Sequence, residues 1–91
     1  MQNLLKDPKV VLVDVRNEWE YEEGHLPNAM HVPLAAVAFH IPQFRKMDGP
    51  VVLYCRSGAR SGKAMRLLKQ AGIENVFNGG GLTDLKNILL N

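Results

Sequence analysis

Among 91 residues there is one cysteine, Cys55, which excludes an internal disulfide framework and an all-cysteine zinc site. No apolar run approaches the ~20 residues of a membrane span. The opening MQNLLKDPK lacks the basic segment and hydrophobic run of a signal peptide. Neither sign of charge dominates, and the net charge of +2 is too mild to imply nucleic acid by itself. No repeat, low-complexity tract or linker divides the chain. What remains is 46% hydrophobic and 22% charged, near globular averages, so disorder, collagen and coiled coil are excluded. Two domains would each be too small to bury a core, so residues 1–91 are expected to form one soluble domain, most simply a monomer. As written the chain is expected in the cytoplasm; a leader removed earlier would leave no trace and would place it in the periplasm.

Hydrophobic patterning predicts strands alternating with helices. Residues 2–6 fit one helical turn stopped at Asp7-Pro8, because the residue before proline resists the α region. Val10–Val15 is a nearly unbroken β-branched run with the character of a strand covered on both faces. Asn17 and Glu20 have capping-box spacing, which predicts a helix over 18–23, ended by Gly24. His25–Ala29 reads as a turn and Met30–Val32 as a second strand, closed by Pro33. A helical stretch from Leu34 to Lys46, interrupted near Pro42, leads to the turn Asp48-Gly49-Pro50. Val51–Tyr54 is the third strand and delivers Cys55 at its carboxyl end. Ala64, Leu67, Leu68 and Ala71 fall on one face of a helix over 61–71, with Gly72 as its left-handed cap. Val76-Phe77 is a fourth strand, Gly79–Gly81 a loop, and Leu82–Leu90 a last helix. The expected fold is α/β, with a parallel sheet of about four strands.

In such sheets ligands sit beyond the carboxyl ends of the strands, which nominates Cys55, Asp14 and Arg16. Positive charge gathers there: Arg56, Arg60, Lys63, Arg66 and Lys69 follow the cysteine, and no Asp or Glu lies between Asp48 and Glu74. The segment Cys55-Arg56-Ser57-Gly58-Ala59-Arg60-Ser61 runs from a strand into a helix. Its small residues allow a tight loop whose N–H groups turn inward as an anion nest, backed by the positive end of the helix. That setting lowers a thiol pKa from about 8.5 into the range of roughly 3.5–7.5 and makes a thiolate without a histidine base. The alternative, Cys55 as a small buried hydrophobe, fits these electropositive surroundings poorly.

The cysteine loop, with VVLVDVR (Val10–Arg16) upstream and Tyr21-Glu-Glu-Gly-His25-Leu-Pro-Asn-Ala29 between, resembles the rhodanese domain over nearly the whole chain. The resemblance implies a three-layer fold, a parallel sheet with helices on both faces. It also implies a sulfurtransferase in which Cys55 takes the outer sulfur of a small anionic donor such as thiosulfate as a persulfide. The sulfur would pass to a thiophilic acceptor: cyanide, a thiol or a protein. Arg56, Ser57, Gly58, Ala59, Arg60 and Ser61 would bind the donor, with Asp14 and Arg16 behind them. No metal or organic cofactor is needed, and neither a membrane nor a nucleic acid is expected as a partner. Three departures stand out. Asn28 replaces a usual glycine, though asparagine tolerates the left-handed region. Gly79–Leu82 lacks the tryptophan that often follows the glycine pair. The family's usual first edge strand is missing. The late start, with GGLTDL at the end and Ser61-Gly62 after the loop, looks like the short phage-shock type, some of which are exported.

Two rival functions are weaker on the residues. A cysteine phosphatase or arsenate reductase has five residues between Cys and Arg, whereas four separate Cys55 from Arg60, a cradle sized for one sulfur. A non-catalytic rhodanese-like binding module is the second, and the retained Cys55 and loop arginines speak against it. No aromatic residue between Arg56 and Lys69 offers a base-stacking platform, and Lys69 reads as a solvated helix face. His25, His31 and His40 read as structural, Trp19 and Tyr21 as packing residues, and Ser61 as a helix-start residue bonding the loop. A buried Asp14 needs a cationic partner, for which an arginine of the cysteine loop is the expected candidate.

Overall fold

Side chains alternate across a β-strand, and that alternation builds two cores. The structure is a computed structural model and describes residues 1–90. Val13, Val15, Val51, Leu53 and Cys55 join one buried cluster, whereas Leu12, Val52 and Tyr54 join another. The strands are β1 (Val11–Asp14), β2 (Met30–His31), β3 (Val51–Cys55) and β4 (Val76–Gly81), all parallel in the order β2-β1-β3-β4. Every residue of β3 is buried, which is why its sequence is an unbroken apolar run.

Helices cover both faces. A 3-10 segment (Leu34–His40), α3 (Ile41–Arg45) and α4 (Ala59–Gln70) bring Val37, Phe44, Ala64 and Leu68 to the first core. The helices α1 (Gln2–Leu5) and α5 (Leu82–Leu90) bring Leu4, Leu5, Leu82 and Leu85 to the second. The helix α2 (Glu18–Glu23) follows β1, and the turn after it places Leu26 and Ala29 in the second core. The result is the expected three-layer α/β arrangement. Asn28 takes the left-handed conformation, φ 66°, that its place in the turn requires. No helix among the described residues is long and apolar enough to cross a membrane.

Two expectations are corrected. Gly79–Gly81 is strand rather than loop. A side chain at Gly79 would lie 2.7 Å from Val52 Cγ1 and 2.9 Å from Leu85 Cδ1, so glycine here lets the β4 backbone press onto β3 and α5. The pairing slips between Leu53 and Tyr54, which face Asn78 and Gly80 respectively, and Gly80 absorbs the irregularity at φ 84°. The helical stretch does break near Pro42, as expected: the 3-10 segment ends at His40 and α3 begins at Ile41 with Pro42 in its first turn, where a residue has no helical N–H bond to lose. Helix α4 begins at Ala59, two residues earlier than its apolar stripe suggests, and Gly72 follows its end at φ 88°.

Chain order reverses between the central strands: β1 is followed by β2 on one side, and β3 lies on the other. A crevice opens at the carboxyl ends on either side of such a switch. Asp14 ends β1 and Cys55 ends β3.

Candidate active site

Cys55 leaves the sheet fully buried, and the chain then doubles back over it into α4. Gly58 makes this possible. It precedes the first helical residue at φ 101°, a conformation that side chains avoid, and donates its N–H to Cys55 Sγ at 3.0 Å. Burial pushes the thiol up, but the Ser61 hydroxyl, which can turn its proton to the ionised sulfur, and the N–H groups of Ser61, Ser57 and Gly58 outweigh it. They bring the thiol down from 9.0 to about 7, inside the range expected for a reactive cysteine.

Ser61 is itself buried, in the first turn of α4, with Oγ 3.5 Å from Sγ. Its hydroxyl donates to Asn78 Oδ1 at 2.6 Å. The amide of Asn78 reaches back to the loop, donating from Nδ2 to the Gly58 carbonyl at 3.0 Å, while Oδ1 also accepts the Gly80 N–H at 3.0 Å. Asn78 was not singled out from the sequence. Its partners lie 17 and 20 residues away, and the neighbouring glycines read as a turn.

The charged pairs are exchanged relative to expectation. Asp14 does not meet an arginine of the cysteine loop. Arg16, two residues further on, folds back onto it through Nε at 3.0 Å and Nη2 at 2.7 Å, and gives its backbone N–H to the same carboxylate at 2.9 Å. Arg16 also donates to the Gly24 carbonyl at 2.6 Å, tying the end of α2 to β1. Arg60 instead grips Glu20 with both terminal nitrogens, at 2.7 and 3.0 Å. Glu20 is only 8% exposed. The Arg60 guanidinium holds its carboxyl down from 4.5 to about 2, against burial and with help from the Asn17 N–H. The Asn17 bond to Glu20 is the expected capping-box contact, at 3.0 Å. Arg60 therefore faces the site as half of an ion pair. Arg56, exposed and with no ion-pair partner among the described residues, is the free cation of the loop.

Arg56 lines an open groove of about 1140 Å³, together with Trp19, Leu26, Leu82 and Lys86. Trp19, read from the sequence as a packing residue on a short helix, is 60% exposed on its wall. Tyr21 does pack, but between two histidines: His25 stacks on it at 3.6 Å and His31 at 4.5 Å, and its hydroxyl donates to the Ala29 carbonyl. His31 also meets the Arg16 carbonyl through Nε2 at 2.8 Å, so it has the partners that the sequence did not reveal. Burial holds the Tyr54 phenol above its ordinary range; its hydroxyl accepts the Leu26 N–H. The hydrogen-bond partners of Sγ are the Gly58 N–H and the Ser61 hydroxyl, with no histidine among them, and no cluster of metal-ligating side chains occurs among the described residues.

Of the site residues read from sequence, the structure brings Gly58 and Ser61 into hydrogen-bonding contact with Cys55 Sγ, and Ser57 lies in the same loop. Ala59 and Arg56 lie on the exposed outer side of the loop, and Arg60 and the Asp14–Arg16 pair lock the surrounding elements. Chemically this is a thiol that ionises near neutrality inside a collar of N–H donors. Such a collar suits a nucleophilic sulfur and a small anion.

A family model described as rhodanese-like domain matches residues 1–87. A tRNA uridine(34) hydroxylase of Erwinia tasmaniensis is 37% identical over 87 residues, covering 89% of this chain and 25% of that protein. The chain thus spans about a quarter of the length of the curated relatives it matches. Among solved structures, a rhodanese with anions from E. coli is 33% identical, covering 82% of this chain and 89% of that one with a TM-score of 0.75. A Rhodopseudomonas palustris protein of unknown function, described as a possible tyrosine phosphatase, is 28% identical with a TM-score of 0.80, covering 94% of this chain and 74% of that one.

Proposed function

Because the chain belongs to the rhodanese-like domain family, we propose that it is a sulfurtransferase working through Cys55. The Cys55 thiolate attacks the outer sulfur of thiosulfate or a similar donor. A new S–S bond forms, the old one breaks, and sulfite leaves with the bonding electron pair, needing no proton. The terminal sulfur of the persulfide carries negative charge, which the loop N–H groups stabilise. A nucleophilic acceptor then takes that sulfur and Cys55 departs as thiolate.

The observation that carries this reading is the bond from Gly58 N–H to Sγ at 3.0 Å, on a thiol lowered to about 7. Arg56 at the mouth of the loop supplies the attraction for an anionic donor. The anions named with the E. coli rhodanese fit the same expectation. The phosphatase reading is disfavoured because its loop arginine must clamp phosphate, whereas Arg60 is held by Glu20.

Intact-protein mass spectrometry after incubation with thiosulfate tests the proposal. A gain of one sulfur on wild type but not on Cys55→Ser, reversed by cyanide with release of thiocyanate, is the expected result. No gain from thiosulfate or an organic persulfide, with the thiol still ionising normally, would overturn it.

The name carried by the Erwinia tasmaniensis protein motivates a second reading, in which the domain serves the modification of tRNA uridine. Adding the protein to unmodified tRNA and analysing its nucleosides separates the two. A Cys55-dependent change at uridine would favour it.

A further inference from the structure

Asn78 is bound on three sides, and the donors and acceptors around it fix its orientation. The Gly80 N–H can only donate, so the atom facing it is oxygen. The Gly58 carbonyl can only accept, so the atom facing it is nitrogen. It follows that the Ser61 hydroxyl, 2.6 Å from that oxygen, spends its single proton on Asn78. The side of Ser61 turned toward Cys55, 3.5 Å away, is then a lone pair. Ser61 in this state accepts from a neutral thiol and offers nothing to a thiolate.

We propose that Asn78 is a positioning residue for Cys55, acting through Ser61: it sets the direction of the Ser61 proton and so governs how readily the thiol ionises. When Cys55 becomes a thiolate, the Ser61 proton turns from Asn78 to sulfur and a short hydrogen bond to the amide is given up. When Cys55 is protonated, or carries further sulfur and is no longer the charged atom, the proton returns to Asn78. The amide thereby opposes the bare thiolate. Its second contact, on the Gly58 carbonyl, holds the residue whose N–H points at Sγ. Gly62 belongs to the same device. A side chain there would come within 3.2 Å of Asn78 Nδ2, so the absence of one lets the amide lie against α4.

The inference deepens the sulfurtransferase reading by resting on Cys55 as the reactive group, but its test needs no sulfur donor. Cys55 is the only cysteine, so the far-ultraviolet absorbance of its thiolate can be titrated against pH, with Cys55→Ser as blank. Asn78→Ala frees the Ser61 proton for sulfur and is expected to lower the midpoint by about half a unit to one unit, the worth of one exchanged hydrogen bond. In a Ser61→Ala background the same substitution is expected to lose most of that shift. Asn78→Asp keeps the shape, grips the Ser61 proton harder and is expected to raise the midpoint, more with Ser61 present than without it. Equal shifts with and without Ser61, or shifts of the same sign for Ala and Asp, would overturn the proposal. If Asn78→Ala does not fold, the Asp variant with and without Ser61 decides alone. A wild-type protein that takes no sulfur from thiosulfate would sink the sulfurtransferase reading while leaving these titrations interpretable.

Discussion

Replacing Glu20 by glutamine separates the ion pair with Arg60 from everything else at that position. Glutamine keeps a carbonyl oxygen for the Asn17 N–H and nearly the same volume, and removes the charge together with one of the two oxygens that accept from Arg60. In the folded protein the Glu20 carboxyl is held at about 2, against 4.5 for its ordinary value. Taken whole, that displacement corresponds to about 3 kcal/mol. The Arg60 side chain, however, is 32% exposed, and water around it screens the attraction. We therefore expect Glu20→Gln to cost about 1–2 kcal/mol at pH 7, above a typical exposed pair because Glu20 is buried and gripped at both oxygens. The sign with pH follows from the lowered value. The stabilisation is fully present above pH 4.5 and is lost as pH falls through about 2. Urea unfolding of both proteins between pH 7 and pH 3, within this window, should show the gap narrowing on acidification. Equal midpoints at pH 7, or a gap that does not narrow, would refute the assignment of Glu20 as the clamp on the loop.

Asp14→Ala leaves Arg16 buried without its carboxylate and should cost about 3–5 kcal/mol; a melting temperature within about 4 °C of wild type would contradict this. Gly79→Ala forces a methyl group into contact with Val52 and Leu85 and should destabilise by about 1–3 kcal/mol, whereas unchanged denaturant stability would return the segment to a permissive loop. Thiosulfate kinetics should separate the two loop arginines, with Arg56→Ala raising KM more than Arg60→Ala does; the opposite order would show that Arg60 leaves Glu20 to meet the donor. The wild-type thiolate should titrate near pH 7, and a midpoint close to the ordinary 9 would mean that the loop N–H groups do not act on Sγ.

What was legible in the sequence is what the chain keeps local. The cysteine, its small following residues and the start of α4 are contiguous, so their chemistry could be read as one unit. The central strands were legible because burial on both faces demands β-branched runs. Pairings across the fold were not. Asp14, Glu20, Arg16 and Arg60 are two acids and two bases near one crevice, and nothing in their spacing tells which joins which. Arg60 and Glu20 are 40 residues apart. Asn78 stayed hidden for the same reason, since it becomes part of the site only once β4 lies beside β3. Gly79–Gly81 misled because glycine serves two opposite needs, freedom in a turn and closeness in a packed strand.

Cys55 has no exposed surface, and this limits who can touch it. A disulfide requires two Cβ atoms within about 3.5–4.5 Å, a distance that a cysteine on another folded protein cannot reach while the loop is closed. A persulfide sulfur on Cys55 would lengthen its reach by about 2 Å, the length of an S–S bond. An empty site is thus a concealed thiol, sheltered from chance oxidation and mispairing. On the sulfurtransferase reading proposed above, only a loaded site would present an atom for an acceptor to find, and the cargo itself would be the handle by which it is recognised.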